Sequence, residues 1–287
     1  MSLDLFGNPI EQDELLRDKF IEPPFSVLDS RGTNWQKRKK IWKNRGIKSE
    51  IGREDNSLKY SKTINNLRVS YTGTSIFDPV ICELMYSWFC PQGGTILDPF
   101  AGGSVRGIVA NYLGYKYSGI DIREEQIESN REQGLTILPL NKQPQWYIGD
   151  SNKLLDDKWN HEFDLVFTCP PYLDLEVYSD LQDDLSTMND QDFVSVYESI
   201  IKKSCDKLKK GGYAIFVVGD VRDKKSGFYK DFVTTTKNAF YKADMKLYNE
   251  AIYLENGLNT AAMKAAQYMK KQKLVKVHQN ILVFIKP

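Results

Sequence analysis

The sequence predicts an α/β fold built on a parallel sheet, and three observations carry that prediction. From Thr95 onward, short apolar runs alternate with longer stretches whose apolar positions recur at helical spacing, the rhythm of strands joined by crossover helices. The first run leads into a turn carrying paired glycines, LDPFAGGSVRG. Three successive runs each deliver an aspartate at their end: Asp98, Asp121 and Asp150. With 287 residues the chain can bury a substantial core as one large domain or two modest ones.

Residues 1–69 differ in texture from the rest and read as a basic, aromatic amino-terminal extension to a main domain over 70–287. Within it RGTNWQKRKKIWKNRGIKSE (31–50) carries eight basic residues against one acidic, with Trp35 and Trp42 two helical turns apart. Two readings stay open: a helix packed on the main domain through its tryptophans, or a surface facing phosphates. The strands that follow are TILDPF (95–100), YKYSGIDI (115–122), QWYIGD (145–150), FDLVFTC (163–169), GYAIFVVGD (212–220), DMKLYNEAIYL (244–254) and QNILVFIK (279–286), seven in all. SVRGIVANYLGY, REEQIESNREQG, NDQDFVSVYESIIKKSCDKLKKGG and KDFVTTTKNAFYKA supply helices between them. Gly211 and Gly212, after a lysine-rich turn, read as a helix stop. A second basic stretch, MKAAQYMKKQKLVK (263–276), separates the last two strands.

Lysine plus arginine (39) nearly balance aspartate plus glutamate (38), so overall charge points to no nucleic-acid or membrane partner, while the local basic clusters leave one open. Cys82, Cys90, Cys169 and Cys205 form no C-x-x-C pair, and with two histidines in the chain no metal site is expected. They read as reduced thiols of a cytoplasmic protein. No apolar run reaches about 18 residues, so no membrane span is expected.

In the glycine turn, Gly102 and Gly103 let backbone approach a ligand where a Cβ would intrude. Asp121 lies 19 residues beyond Gly102, where an acidic side chain in doubly wound folds meets ribose hydroxyls. The G-x-G-x-x-G spacing is absent and Asp98 would repel a pyrophosphate, so a cationic nucleoside fits better than a dinucleotide. S-adenosylmethionine offers an ammonium for Asp98, a ribose for Asp121, an adenine amine for Asp150 and a sulfonium for an aromatic face such as Phe100.

FDLVFTCPPYLDLEVYSD (163–180) is a strand forced to stop, because consecutive prolines cannot donate ladder hydrogen bonds. With DPFAGGS, GIDI, IGD and TCPPY in this order, the chain resembles the DNA methyltransferases that modify exocyclic amines of cytosine or adenine, over about residues 70–286. Its ending, KVHQNILVFIKP, is similar to that of stand-alone methylases of phages and mobile elements. The resemblance implies a Rossmann-like class I methyltransferase fold: a seven-stranded, mostly parallel sheet with helices on both faces and an antiparallel last strand. It also implies S-adenosylmethionine as cofactor, held by Thr74, Asp98, Phe100, Gly102, Gly103, Ser104, Asp121 and Asp150, and a catalytic tetrapeptide Cys169, Pro170, Pro171 and Tyr172. DNA is the implied partner, with 31–48 and 263–276 as the contacts.

The chemistry explains such a peptide. An exocyclic amine is a poor nucleophile because its lone pair is delocalised into the ring. A fixed acceptor such as the Pro170 carbonyl, aimed by Pro171, draws that nitrogen towards tetrahedral geometry. Tyr172 provides a face on which an extruded base stacks. Cys169 departs from the aspartate, asparagine or serine that the family carries there. A thiol is a weak donor and a weak acceptor; serine is its nearest neighbour in shape, and because serine at this position goes with cytosine N4 in the family that the chain resembles, the resemblance places cytosine N4 ahead of adenine N6. A Cys169 nucleophile of the carbon-5 type would need a proline–cysteine order and a carboxylate partner that this stretch lacks. Methylation of an RNA base or a protein glutamine, and an idle nucleic-acid-binding module, remain as alternatives.

Overall fold

A computed structural model describes residues 16–47, 77–172, 184–223, 225–255 and 258–287. In chain order the elements are α1 (Leu16–Phe20), β1 (Val27–Asp29), α2 (Thr33–Asn44), α3 (Pro79–Phe89), β2 (Thr95–Asp98), α4 (Val105–Tyr112), β3 (Lys116–Asp121), α5 (Glu124–Ile137) and β4 (Gln145–Ile148). They continue with α6 (Ser151–Asp157), β5 (Phe163–Thr168), α7 (Asp190–Asp206), β6 (Leu208–Val218), α8 (Phe232–Lys242), β7 (Lys246–Leu254), α9 (Leu258–Met269) and β8 (His278–Ile285).

Among the described residues the strands form one eight-stranded sheet in the order β1-β7-β8-β6-β5-β2-β3-β4. Only β8 runs antiparallel to its neighbours, β6 and β7; the other pairings are parallel. The chain winds from β2 to β4 in one direction and from β5 onward in the other, so strand order reverses between β2 and β5. Ligands of open α/β sheets bind outside the carboxyl ends of strands at such a reversal.

Side chains alternate across each strand. Ile96, Leu165, Phe167, Ile215 and Val217 face a core shared with α2 to α5. Leu97, Val166, Phe216 and Val218 face a second core under α6, α7 and α8. The sheet is therefore covered on both faces, which is why its central strands are apolar throughout rather than alternating.

The seven strands expected from Thr95 onward are all present, and β8 is the antiparallel one. The eighth, β1, comes from the amino-terminal extension and pairs with β7 through Val27↔Ile252, Leu28↔Tyr253 and Asp29↔Leu254. Three residues are too few to show a period, so its pairing partner defines it. Of the two readings of 31–50, the packed helix is the one observed for α2: Trp35 and Trp42 are each 1% exposed. Trp42 meets Tyr112 edge-on at 5.1 Å, and Trp35 stacks with Tyr253 at 5.8 Å. Gly211 and Gly212 are not a helix stop. α7 ends at Asp206, and the glycines lie inside β6, where the register against β5 jumps from Phe163↔Leu208 to Leu165↔Tyr213. Gly211 has φ of 76°, so the residues looped out there use its left-handed freedom.

Candidate active site

Asp98, the last residue of β2, has no exposed surface. It accepts hydrogen bonds from Arg106 Nε at 2.6 Å, Tyr117 Oη at 2.6 Å, Thr168 Oγ1 at 2.6 Å and the Phe100 amide at 3.1 Å. These donors belong to α4, β3, the end of β5 and the glycine turn. One carboxylate thus ties the turn to both strands that flank β2. Burial opposes the Arg106 charge more than any other single influence, but the charge and hydrogen bond of Asp98 together with Tyr117 and Cys169 outweigh it and raise the guanidinium pKa. Arg106 Nη2 also donates to the Phe100 and Ala101 carbonyls at 2.6 and 2.8 Å. The expected contact of Asp98 with a ligand ammonium is therefore corrected: all its donors are internal, and it shapes the loop rather than touching the crevice.

Gly102 has φ of 49°, and a Cβ there would come no nearer to any atom than 4.0 Å from Arg106 Nη2. The missing side chain leaves open space at the sheet edge. Its carbonyl accepts from Asn130 Nδ2 at 2.7 Å, and its amide donates to Asp121 Oδ2 at 2.8 Å. Gly103 is half-buried beside it. Asp121, ending β3, also accepts from the Arg123 amide at 2.9 Å and keeps 12% of its side chain exposed. Burial raises its carboxyl pKa, partly offset by Arg123. A carboxylate has about four lone-pair sites, so Asp121 retains capacity for ligand hydroxyls at the crevice.

Asp150 caps α6, accepting from the Asn152 amide at 2.8 Å, and stays half-exposed. Ser151 Oγ donates to the Pro99 carbonyl at 2.5 Å and binds this corner to the glycine turn. Phe100 is half-buried, its ring 6.0 Å from that of Tyr197. Ser104 is turned inward, donating to Gln133 Oε1, and is 3% exposed; it is a packing residue at the start of α4 rather than a crevice contact. Thr74 lies outside the described residues.

The tetrapeptide leaves β5 at the same edge. Pro170 is buried, while Cys169, Pro171 and Tyr172 are half-buried. Thr168, directly before it, holds Asp98, so the peptide is anchored to the glycine turn. Cys169 Sγ lies 3.9 Å from Tyr172 Oη. Burial raises the Cys169 pKa, with Arg106 opposing, so the side chain remains a neutral thiol at physiological pH and is no thiolate nucleophile. The Tyr172 ring sits edge-on to Phe232 at 5.8 Å.

Sequence reading missed Arg106, Tyr117, Asn130 and Thr168. Only Arg106 left a local trace, a cation four residues beyond Gly102 at the start of an otherwise apolar helix. The others act through contacts made across strands. A second group gathers at this edge: Asp220 after β6 and Glu255 after β7, with Lys276, the last residue of the basic stretch 263–276, just before β8 and Gln279 within it.

No protein-family model matches the chain, and no curated protein matches it. Among solved structures, TrmN from Thermus thermophilus is similar with a TM-score of 0.51 at 15% identity, over 80% of this chain and 53% of that one. The chain thus spans about half of TrmN. A putative rRNA-methylase from Clostridium thermocellum (TM-score 0.47, 15% identity, 74% and 100% covered) and a methyltransferase from Pyrococcus furiosus (0.47, 14%, 80% and 94%) are also similar. At 15% identity the likeness to TrmN concerns architecture alone, and with the strand order above it gives the conclusion: this chain has the Rossmann-like fold of class I methyltransferases, extended by an eighth strand among the described residues.

Proposed function

We propose that the protein is an S-adenosylmethionine-dependent methyltransferase acting on the exocyclic amine of a base in DNA, cytosine N4 ahead of adenine N6. The observation that carries the reading is the junction of β2 and β5. There the Thr168–Asp98 hydrogen bond, 2.6 Å, joins the Cys-Pro-Pro-Tyr exit to the glycine turn at the point of strand reversal. The open space over Gly102 and the partly exposed Asp121 fit a nucleoside with ribose hydroxyls. When bound, S-adenosylmethionine supplies an electrophilic methyl group. The chain's part is then to hold the amine: the Pro170 carbonyl accepts one of its hydrogens, and the Tyr172 face stacks the base. A neutral Cys169 thiol beside them adds little charge, which leaves the carbonyl as the principal acceptor. The exposed lysines of α2 and of residues 263–276 are the proposed contacts to phosphates.

The test offers labelled S-adenosylmethionine in parallel with duplex DNA, structured RNA and a protein extract. Label in DNA, released as N4-methylcytosine, is the expected result. Label confined to RNA would move the reading to RNA bases, and label confined to protein would remove it.

A further inference from the structure

The edge that carries Tyr172 also holds the charged group at Glu255 and Lys276, which the methyl-transfer reading leaves unused. Gly219 follows β6 directly. A Cβ placed on it would lie 3.8 Å from Gln279 Cγ, 3.9 Å from Lys276 Cε and 3.9 Å from Tyr172 Cε1. Three side chains from two segments therefore converge on one point, and the glycine keeps that point clear. Gln279 is held in place: its Nε2 donates to Glu255 Oε1 at 2.5 Å. Burial raises the Glu255 pKa, with Lys39 and Lys276 opposing. Burial lowers the Lys276 pKa, with Asp220 and Glu255 opposing. Partly buried lysines and glutamates are uncommon unless paired, and perturbed ones in a cleft mark functional sites more often than chance.

The chemistry of this cluster is that of donors. Lys276 offers ammonium hydrogens, and Gln279 has a second amide hydrogen besides the one given to Glu255. Next to its exocyclic amine cytosine presents two acceptors in sequence, N3 and O2. Adenine presents one, N1, and then a C–H. We infer that Lys276 and Gln279, the latter positioned by Glu255, form the recognition floor for the target base and select cytosine over adenine by donating to N3 and O2. This rests on the proposed amine methylation. A base stacked on the Tyr172 ring would lie beside both side chains, because Lys276 Cε and Gln279 Cγ approach the same point over Gly219 as the ring edge does.

The experiment treats DNA with the full chain and S-adenosylmethionine, digests it, and measures N4-methylcytosine and N6-methyladenine by mass spectrometry. The wild type is expected to yield methylcytosine. Lys276→Met and Gln279→Glu are each expected to lower its rate of formation about tenfold or more, the discrimination a good base-edge contact provides. Lys276→Arg, which keeps a cationic donor, should stay within a few-fold. Glu255→Gln should reduce the cytosine-to-adenine ratio at an unchanged melting temperature, which a merely structural role would not produce. Cofactor affinity by calorimetry should be the same in all four. Methyladenine as the sole wild-type product, or undiminished methylcytosine from both Lys276→Met and Gln279→Glu, would overturn the inference. Methylcytosine found in RNA alone would overturn the DNA reading and leave the base preference standing; methylation of protein alone would overturn both.

Discussion

Asp98, Asp121 and Tyr172 stand at one edge and divide its work differently. Asp98 faces a fully buried Arg106, so Asp98→Asn removes the charge that the guanidinium was paired with. Breaking a buried pair from one side costs about 3–5 kcal/mol. The urea midpoint of this variant should fall accordingly; a loss of cofactor affinity at unchanged stability would instead restore the ammonium contact. Asp121 should behave in the opposite way. Its proposed ribose hydrogen bonds are charge-assisted and worth about 1.5–3 kcal/mol, so Asp121→Ala should weaken cofactor binding by about 10- to 150-fold in calorimetry. Tyr172→Ala should lower turnover by about 5- to 150-fold, given ~1–3 kcal/mol for base stacking on a ring, while the cofactor dissociation constant stays put. Full activity in that variant would show that the ring is not used. The sequence offered all three, two aspartates and a tyrosine, as ligand contacts. It could not show that Asp98 is surrounded by four donors, because Tyr117 and Thr168 come from strands 19 and 70 residues away.

The two basic segments look alike in sequence and differ as elements. α2 is sealed to α3 and β7. Lys39 pairs with Asp78 at 2.8 Å, Arg38 with Glu83 at 2.8 Å, and Trp35 Nε1 donates to Asp78 at 3.2 Å. Asp78 in turn caps α3 by accepting from the Val80 amide. Trp35→Ala should therefore cost about 3–5 kcal/mol of stability in a denaturant titration, a core-sized loss from what reads as a basic surface stretch. α9 is the converse. From Ala262 to Gln272 every side chain is exposed, and from Leu258 to the last residue there are six lysines and no acid. If the exposed stretch from α9 through Gln272 carries phosphate contacts, Lys270→Glu combined with Lys271→Glu should flatten the slope of log affinity against log salt by about 2 for duplex DNA. An unchanged slope would take this stretch out of the interface.

Over the whole molecule, the sheet buries thiols and phenols together. Cys90 and Cys205 are both pushed up to about 12 by burial, and Tyr86, Tyr117 and Tyr253 are raised by burial as well. Unfolded thiols lose their protons near pH 9, whereas the folded ones keep them until about 12. The folded state thus binds more protons in that window, and its stability must fall as pH rises through it, by at most about 1.4 kcal/mol per pH unit for each thiol. Urea midpoints measured between pH 8 and 11 should decline above 9; a flat profile would contradict the burial of both thiols. Among the described residues no helix is long and apolar enough to cross a membrane, and the polypeptide instead spends its apolar runs on this doubly covered sheet.

What the sequence determined by itself is whatever repeats or breaks locally: the strand and helix periods, the proline stop after Thr168, the glycine turn, and hence the fold class. Only the tertiary structure decided which polar side chains face inward. It alone revealed β1 as an eighth strand, made Asp98 an internal hub, turned Ser104 away from the crevice, and gathered Glu255, Lys276 and Gln279 around Gly219 beside Tyr172. The physical reason is the same in each case. Period and turn chemistry act between residues a few positions apart, whereas the partner of a buried charge is fixed by strand order, which joins segments distant along the chain.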